Sequence, residues 1–190
     1  MTIKMKSSIT SFWDNRIGHL SVKQGKTILE KLNSRNIENV LEIGFAGGRH
    51  TYMILKSFNV KKMISLDINF DYQGGRKKID QIKKEFKQIE FVEEDSKIAL
   101  TKSFMKEKFP DGIDYVLVDG GHSYNDAMSD MKNTYRFLNT GGVMIVDDYK
   151  SKICPIQDVD NAVMDFAKQQ GTDYEEVFIE DGKGMAFFVK

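Results

Sequence analysis

The sequence predicts a doubly wound α/β fold, a three-layer sandwich around a seven-stranded, mostly parallel sheet that ends in an antiparallel β-hairpin. Short apolar runs alternate with helical patterns along most of the chain, as expected for a parallel sheet covered by helices on both faces. The last two apolar runs are instead separated by a short glycine-containing turn, which predicts a hairpin. The length of 190 residues suits one domain, residues 1–190.

The predicted strands of the parallel part are runs rich in Val, Ile and Leu that end in glycine or an acidic residue. In chain order they are residues 36–44 (NIENVLEIG), 61–67 (KKMISLD), 89–93 (IEFVE), 113–119 (IDYVLVD) and 142–148 (GVMIVDD). Two further strands, residues 175–179 and 185–189, flank the turn EDGKG.

Helical patterns fill the intervals between these strands, with a first helix predicted at residues 21–34 and a second at residues 49–57. Four later helices are indicated by apolar residues three or four positions apart: Ile79, Ile82, Phe86 and Ile89; Leu100, Phe104 and Met105; Met128, Met131, Tyr135 and Leu138; and Ile156, Val159, Val163 and Phe166. Pro155 is expected to open the last helix, where its missing N–H costs nothing.

Composition favours a cytoplasmic protein without a nucleic-acid or membrane partner. The chain has 28 Lys and Arg residues and 28 Asp and Glu residues. It therefore lacks the excess of basic residues typical of proteins that bind several phosphate groups. Cys154 is the one cysteine, which excludes an intramolecular disulfide. No window approaches the ~18–20 apolar residues of a membrane span, and we expect residues 1–20 to form a lid-like segment of the domain.

A glycine turn follows the first strand, at the sheet edge where ligands of open parallel sheets bind. Its sequence is Glu42-Ile43-Gly44-Phe45-Ala46-Gly47-Gly48. The dinucleotide pattern G-x-G-x-x-G fails from Gly44, because Ala46 and Arg49 stand where glycines are required. The pattern present is E-x-G-x-x-x-G.

Acidic residues end the next two strands. Asp67 ends the second strand, where a carboxylate can accept hydrogen bonds from two ribose hydroxyls. Asp95 and Ser96 follow the third strand. Together with the glycine turn, these positions predict a nucleoside-containing cofactor.

Carboxylates also end the fourth and fifth strands, which are neighbours in the expected strand order. Asp119, Asp147 and Asp148 should therefore converge at one edge of the sheet. Clustered carboxylates repel one another unless a proton or a cation lies among them. Hard oxygen ligands favour Mg²⁺ or Ca²⁺, with Mn²⁺ a close competitor.

These motifs resemble the class I S-adenosylmethionine-dependent methyltransferases, which share a Rossmann-like fold, and the resemblance covers nearly the whole chain. It implies S-adenosyl-L-methionine as cofactor and a glycine turn that passes beneath the cofactor's methionine part. Glu42 would hold the turn and, through water, the ammonium group, while Asp95 would contact adenine. The cofactor-binding residues it implies are Glu42, Gly44, Phe45, Ala46, Gly48, Asp67, Asp95, Ser96 and Asp119.

Within this class, the chain resembles the metal-dependent small-molecule O-methyltransferases of the catechol and caffeoyl-CoA type. It resembles still more the bacterial branch that includes macrolide-sugar O-methyltransferases and cephalosporin-hydroxylase-like proteins. The run D-G-x-H-x-Y of that branch is matched by Asp119, Gly120, His122 and Tyr124. The resemblance implies metal ligation by Asp119, Asp147 and Asp148. His122 would be the catalytic base that takes the proton from a small-molecule hydroxyl.

Other readings remain open from the sequence alone. A methyltransferase of nucleic acid or protein is disfavoured by neutral charge and by the lack of a D/N-P-P-Y ending on strand four. A NAD-dependent oxidoreductase is disfavoured by the failed glycine pattern. A cofactor-binding protein without catalysis and a homodimer are further possibilities. Tyr149 is a candidate for the acceptor pocket by position only, whereas His50 and Cys154 receive no chemical role.

Overall fold

The computed structural model describes residues 20–152, 155–179 and 182–190, and its described strands form one sheet. The strands are β1 (Asn39–Ile43), β2 (Lys62–Asp67), β3 (Ile89–Glu93), β4 (Ile113–Val118), β5 (Leu138–Val146), β6 (Glu175–Phe178) and β7 (Gly184–Val189). Their order is β3-β2-β1-β4-β5-β7-β6. The first five are parallel, and β7 is antiparallel to both β5 and β6, so the predicted mixed sheet and terminal hairpin are confirmed.

Helices cover both faces of this sheet. They are α1 (Val22–Leu32), α2 (Arg49–Ser57), α3 (Gly75–Glu85), α4 (Ser96–Ala99), α5 (Lys102–Lys108), α6 (Tyr124–Tyr135) and α7 (Gln157–Gln170). Apolar residues of α1, α2 and α3 share one buried cluster with one face of the sheet. Those of α5, α6 and α7 share a second cluster on the other face. The doubly wound three-layer arrangement is therefore confirmed.

Central strands are apolar in nearly every position because both of their faces are covered. In β4, Tyr115 and Leu117 belong to the first cluster, while Val116 and Val118 belong to the second. The helix after β1 lies on one face and the helix after β4 on the other. The carboxyl ends of these neighbouring strands therefore border a crevice, the position where open α/β sheets bind ligands.

The beginning of α1 is fixed by a reciprocal capping box. The Ser21 hydroxyl accepts a hydrogen bond from the Gln24 backbone N–H at 3.0 Å, and Gln24 Oε1 accepts one from the Ser21 N–H at 3.3 Å. Two of the otherwise unpaired N–H groups at this helix end are thereby satisfied. Gln24 is fully buried, although it is polar and belongs to the first turn.

Several boundaries differ from the predictions; for example, the helix predicted through Phe86 and Ile89 ends at Glu85. Leu138 begins β5 instead of ending the preceding helix, which stops at Tyr135. Pro155 lies before Ile156, the N-cap residue of α7, and so does not occupy the first helical position. The helix predicted after β3 is divided into α4 and α5 because the Thr101 hydroxyl caps a new helix by accepting from the Phe104 N–H.

Two predictions fall on residues outside the described ranges. The lid-like segment assigned to residues 1–20 lies there except for Leu20, and Cys154 lies there as well. Among the described helices, none has the length and apolar character needed to cross a lipid bilayer.

Candidate active site

A cavity of about 650 Å³ opens at the carboxyl ends of the parallel strands. Nine of the predicted site residues line it: Gly44, Ala46, Asp67, Asp95, Ser96, Asp119, His122, Asp147 and Asp148. Glu42, Phe45 and Gly48 are not part of its lining. Most positions proposed for cofactor binding, and all those proposed for chemistry, therefore border one shared space.

The turn after β1 requires glycine at its first position. Gly44 has φ +92°, and a Cβ atom built there would lie 1.8 Å from the backbone oxygen of Asp119. The Gly44 N–H donates to the Leu66 carbonyl at 2.8 Å, while the Asp119 N–H donates to the Ile43 carbonyl at 2.8 Å. The ends of β1, β2 and β4 are thus joined so closely that no side chain fits between them.

Asp67 holds this turn from the end of β2. Its Oδ2 accepts hydrogen bonds from the backbone N–H groups of Phe45 at 2.7 Å and Ala46 at 3.2 Å. Its Oδ1 accepts from the Asn69 N–H at 2.9 Å. A carboxylate has about four acceptor positions, and three are used here, so one remains for a ribose hydroxyl.

Replacement of Asp67 by alanine should weaken binding of S-adenosylhomocysteine by about ten- to a hundredfold, because it removes charge-assisted hydrogen bonds worth roughly 1.5–3 kcal/mol. Isothermal titration calorimetry measures this change. Asp71→Ala, which removes an exposed carboxylate paired with Arg76, is the control. If the Asp67→Ala variant had a lower melting temperature but an unchanged affinity for S-adenosylhomocysteine, Asp67 would stabilise the turn without binding the cofactor.

Glu42 lies in a buried network instead of at the cavity wall. Its Oε1 is 2.7 Å from His50 Nδ1, and its Oε2 accepts from the hydroxyls of Thr51 and Ser65. His50 Nε2 is in turn 2.7 Å from the Tyr115 hydroxyl. The loop-holding part of the role expected for Glu42 fits these contacts, since they tie β1 to the first turn of α2.

Phe45 and Gly48 support the turn from behind. The Phe45 ring packs edge-on against Phe70 and Phe91, with ring centroids 5.4 and 5.3 Å away. A Cβ atom at Gly48 would lie 2.5 Å from the Phe45 ring. Neither residue lines the cavity, so the cofactor contact that the resemblance implied for them stays a prediction.

The opposite wall of the cavity is formed by the beginning of α4. Asp95 is the N-cap residue of this helix, and its Oδ1 accepts from the Lys97 N–H at 2.8 Å. The Lys97 ammonium lies 2.6 Å from Asp126 Oδ1 and 3.8 Å from Asp95 Oδ2. Ser96 lines the cavity beside them.

His122 lies between two carboxylates at the other end of the cavity. Its Nε2 is 3.4 Å from Asp148 Oδ2 and 3.9 Å from Asp119 Oδ1, and 44% of its side chain is exposed. The Asp119 carboxylate is the main cause that raises the pKa of His122; partial burial opposes this shift. Burial raises the pKa of Asp119, against the effect of His122.

These three side chains could hold a cation, since one donor atom from each lies within 4.8 Å of the others. Asp147, which was predicted as a ligand, is outside this group, although it lines the cavity. Its Oδ1 accepts from Gln24 Nε2 at 2.6 Å and from the Asp148 N–H at 2.9 Å. Burial, with the nearby Asp119 and Asp148 charges, raises the pKa of Asp147 to about 8.

Two residues near the cavity received no chemical role from the sequence. Gln24 reaches Asp147 from α1, 123 positions earlier in the chain. Lys183 precedes β7 and lines the cavity, where its charge lowers the pKa values of Asp119 and Asp147. A signal for Lys183 existed: because β7 runs antiparallel to β5, the residue entering β7 must lie near the carboxyl end of β5.

The pocket role considered for Tyr149 is wrong. Its side chain is fully buried, and its hydroxyl lies 2.8 Å from the Tyr174 hydroxyl and 2.8 Å from Glu176 Oε1. Tyr149 packs beneath the hairpin and does not line the cavity.

The strand order, the glycine turn and a cavity at the point where the order reverses are features of the class I methyltransferase fold. A model of the family described as a methyltransferase domain matches residues 41–149, more than half of the chain. The chain therefore belongs to the methyltransferase domain family, and the prediction of an S-adenosylmethionine-dependent enzyme is confirmed.

Solved structures with low sequence identity share the fold. An O-methyltransferase from Bacillus cereus in complex with SAH is 15% identical, with a TM-score of 0.75 over 99% of this chain and 93% of that one. Cofactor-bound Rv0187 from MTB is 17% identical, with a TM-score of 0.72 over 96% and 86%. A precorrin 8w decarboxylase from Methanobacterium thermoautotrophicum is 14% identical, with a TM-score of 0.66 over 95% and 97%. Such different names on one fold show that the fold does not fix the substrate.

A curated relative adds little about activity. It is the uncharacterized protein R132 of Acanthamoeba polyphaga mimivirus, 36% identical over 44 residues. The match spans 23% of this chain and only 20% of the relative's length.

Proposed function

We propose that this enzyme transfers the methyl group of S-adenosylmethionine to a hydroxyl oxygen of a small molecule, with His122 as the base. The observation that carries this proposal is the position of His122: it faces the same cavity as the cofactor-side residues Asp67 and Asp95, at the opposite end.

The cofactor end supplies acceptors for a nucleoside. Asp67 retains one acceptor position for a ribose hydroxyl. Asp95, which is expected to contact adenine, lines the same cavity beside Ser96. Ala46, with φ +45°, and Gly44 bring the backbone of the turn to the cavity without a large side chain. The SAH-bound and cofactor-bound neighbours, which have the same fold, support this placement.

His122 is suited to take a proton from the attacking hydroxyl. Its exposed ring can reach an acceptor, and the neighbouring Asp119 and Asp148 carboxylates stabilise the imidazolium that forms. In-line displacement at the methyl carbon moves the methyl group to oxygen and leaves S-adenosylhomocysteine. The remaining rate gain would come from holding both reactants in one cavity.

The donor set at this end also fits a divalent cation. We propose that Mg²⁺ or Mn²⁺ binds to Asp119 and Asp148, near Asp147. His122 is not assigned as a ligand, because an imidazole bound to the ion would not be free to accept a proton. When bound, the ion would lower the pKa of a coordinated acceptor hydroxyl. Adjacent hydroxyls, as in catechols and vicinal diols, are the acceptor class that suits such an ion.

The test combines metal binding with turnover. Wild-type protein should bind Mn²⁺ in electron paramagnetic resonance titrations, and Asp148→Ala should weaken this binding at least about tenfold through the loss of a charged ligand. Asp80→Asn, which removes an exposed carboxylate on α3, should change nothing.

Turnover should appear with catechol or vicinal-diol acceptors, measured as S-adenosylhomocysteine release, and should decline with EDTA. Methylation restricted to amines, nucleic acid or protein would contradict the proposed acceptor class. Full turnover in the presence of EDTA would contradict the proposed role of a divalent cation.

A further inference from the structure

Asp130 is a buried carboxylate that none of the interactions above explains. It belongs to α6, its exposure is 0%, and neither of its oxygens has a hydrogen-bond partner among the described residues. An ionised carboxylate without donors in a protein interior is strongly unfavourable. A carboxyl group in this position is expected to be protonated, or to be retained because it has a functional role.

The carboxyl group lies directly behind two walls of the cavity. Its Oδ2 would be 3.2 Å from a Cβ atom built on Gly120, so the absence of a side chain there lets the carboxyl approach the turn that carries Asp119 and His122. The Ser96 hydroxyl, on the cofactor side, lies near enough to affect its ionisation. Gly120 and Ser96 both line the cavity, whereas Asp130 does not.

The charges that face Asp130 from the packed elements are mostly negative. Asp126 lies one turn earlier on α6, and Asp95 lies at the beginning of α4. Lys97 is the facing cation, but its ammonium is 2.6 Å from Asp126 and 3.8 Å from Asp95. Burial raises the pKa of Asp130 to about 7, against the effect of the Ser96 hydroxyl, so the neutral form is accessible near neutral pH.

We propose that Asp130 is a positioning residue for the cofactor, and that its buried carboxyl group keeps the Ser96 turn and the Gly120 turn at the spacing the adenosyl group requires. This inference rests on the cofactor site proposed above. A neutral carboxyl can donate through its O–H and accept through its carbonyl oxygen. Once ionised, Asp130 loses its O–H donor and repels the carboxylates of Asp95 and Asp126. This repulsion would separate the Ser96 turn from the Gly120 turn and so weaken cofactor binding.

The experiment measures S-adenosylhomocysteine affinity by calorimetry between about pH 6 and pH 8.5. Wild-type affinity should fall more steeply with pH than that of Asp130→Asn, with an excess loss of about tenfold, as linkage predicts for one proton retained on binding. Asp130→Asn keeps a donor and an acceptor but cannot ionise. Its affinity at pH 6 should stay within about twofold of wild type.

Asp80→Asn is the matched control, because it removes an exposed carboxylate from another helix and should follow the wild-type pH profile. Ser96→Ala supplies a second measurement: in a double-mutant cycle with Asp130→Asn, the two effects on affinity should be non-additive. The cycle is measured at about pH 8.5, where wild-type Asp130 is ionised.

Identical pH profiles for wild type and Asp130→Asn would overturn the positioning role, and so would strictly additive effects of the two substitutions. If the wild-type protein fails to bind S-adenosylhomocysteine at any pH, the cofactor site itself is wrong. The two failures are therefore distinguishable. A merely structural role would lower the melting temperature of the variant without changing the slope of affinity against pH.

Discussion

Replacement of His122 by asparagine is expected to lower kcat by about 10²–10⁴-fold, the range typical for loss of a general base. Affinity for S-adenosylhomocysteine should stay within about twofold of wild type, because His122 lies at the end of the cavity away from Asp67 and Asp95. Steady-state kinetics and calorimetry measure the two quantities. A change in kcat of less than about threefold would mean that another group accepts the proton.

The pH profile provides an independent check on His122. The Asp119 carboxylate raises the pKa of His122 above its ordinary value, so the neutral base is lost as pH falls through this raised pKa. The activity that remains in metal-free buffer should therefore decline on the acid side of a pKa above the ordinary histidine value, and the asparagine variant should lack this limb. A bound divalent cation opposes the shift, so Mg²⁺ should move the limb to lower pH.

The substitution Gly44→Ala is expected to remove cofactor binding and to cost more than about 3 kcal/mol of the free energy of unfolding. Its Cβ would lie 1.8 Å from the Asp119 backbone oxygen, and backbone atoms on both sides must separate to admit it. The positive φ of +92° adds a conformational penalty. Chemical denaturation and calorimetric titration with S-adenosylhomocysteine measure the two effects.

Gly171→Ala separates these two causes. Gly171 also has a positive φ, +63°, but a Cβ atom there meets nothing within 4 Å. Gly171→Ala should therefore lower the free energy of unfolding only by the conformational penalty of a positive φ, roughly 1–2 kcal/mol. Equal losses at positions 44 and 171 would show that the contact with Asp119 does not determine the role of Gly44.

The strand pattern could be read from the sequence because burial on both faces leaves a continuous apolar run. Residues Ile113–Val118 show this most clearly, and the structure places them in β4. Leu138 was assigned to the wrong element for a related reason. An apolar residue after an amphipathic helix fits both the end of that helix and the beginning of a buried strand, and periodicity does not distinguish them.

The site could be predicted as far as strand topology determines it. Asp67, Asp119 and His122 end strands or follow them closely, so knowledge of a parallel sheet brings them to one edge. Gln24 and Asp130 could not be found this way, since each sits within a helical pattern and its position depends on how that helix packs. Tyr149 was misjudged because adjacency to Asp148 in sequence says nothing about which side of the backbone its ring occupies.

The hydrogen bond from Gln24 to Asp147 has a practical consequence for engineering. The family model matches residues 41–149, whereas the amide that donates to the Asp147 carboxyl belongs to α1, before that segment. A chimera built by grafting residues 41–149 into a relative would transplant a buried acid without its side-chain donor and leave it only the Asp148 N–H. The unit to exchange must carry the first helix with it, and the cut is best placed ahead of Ser21, whose hydroxyl begins that helix.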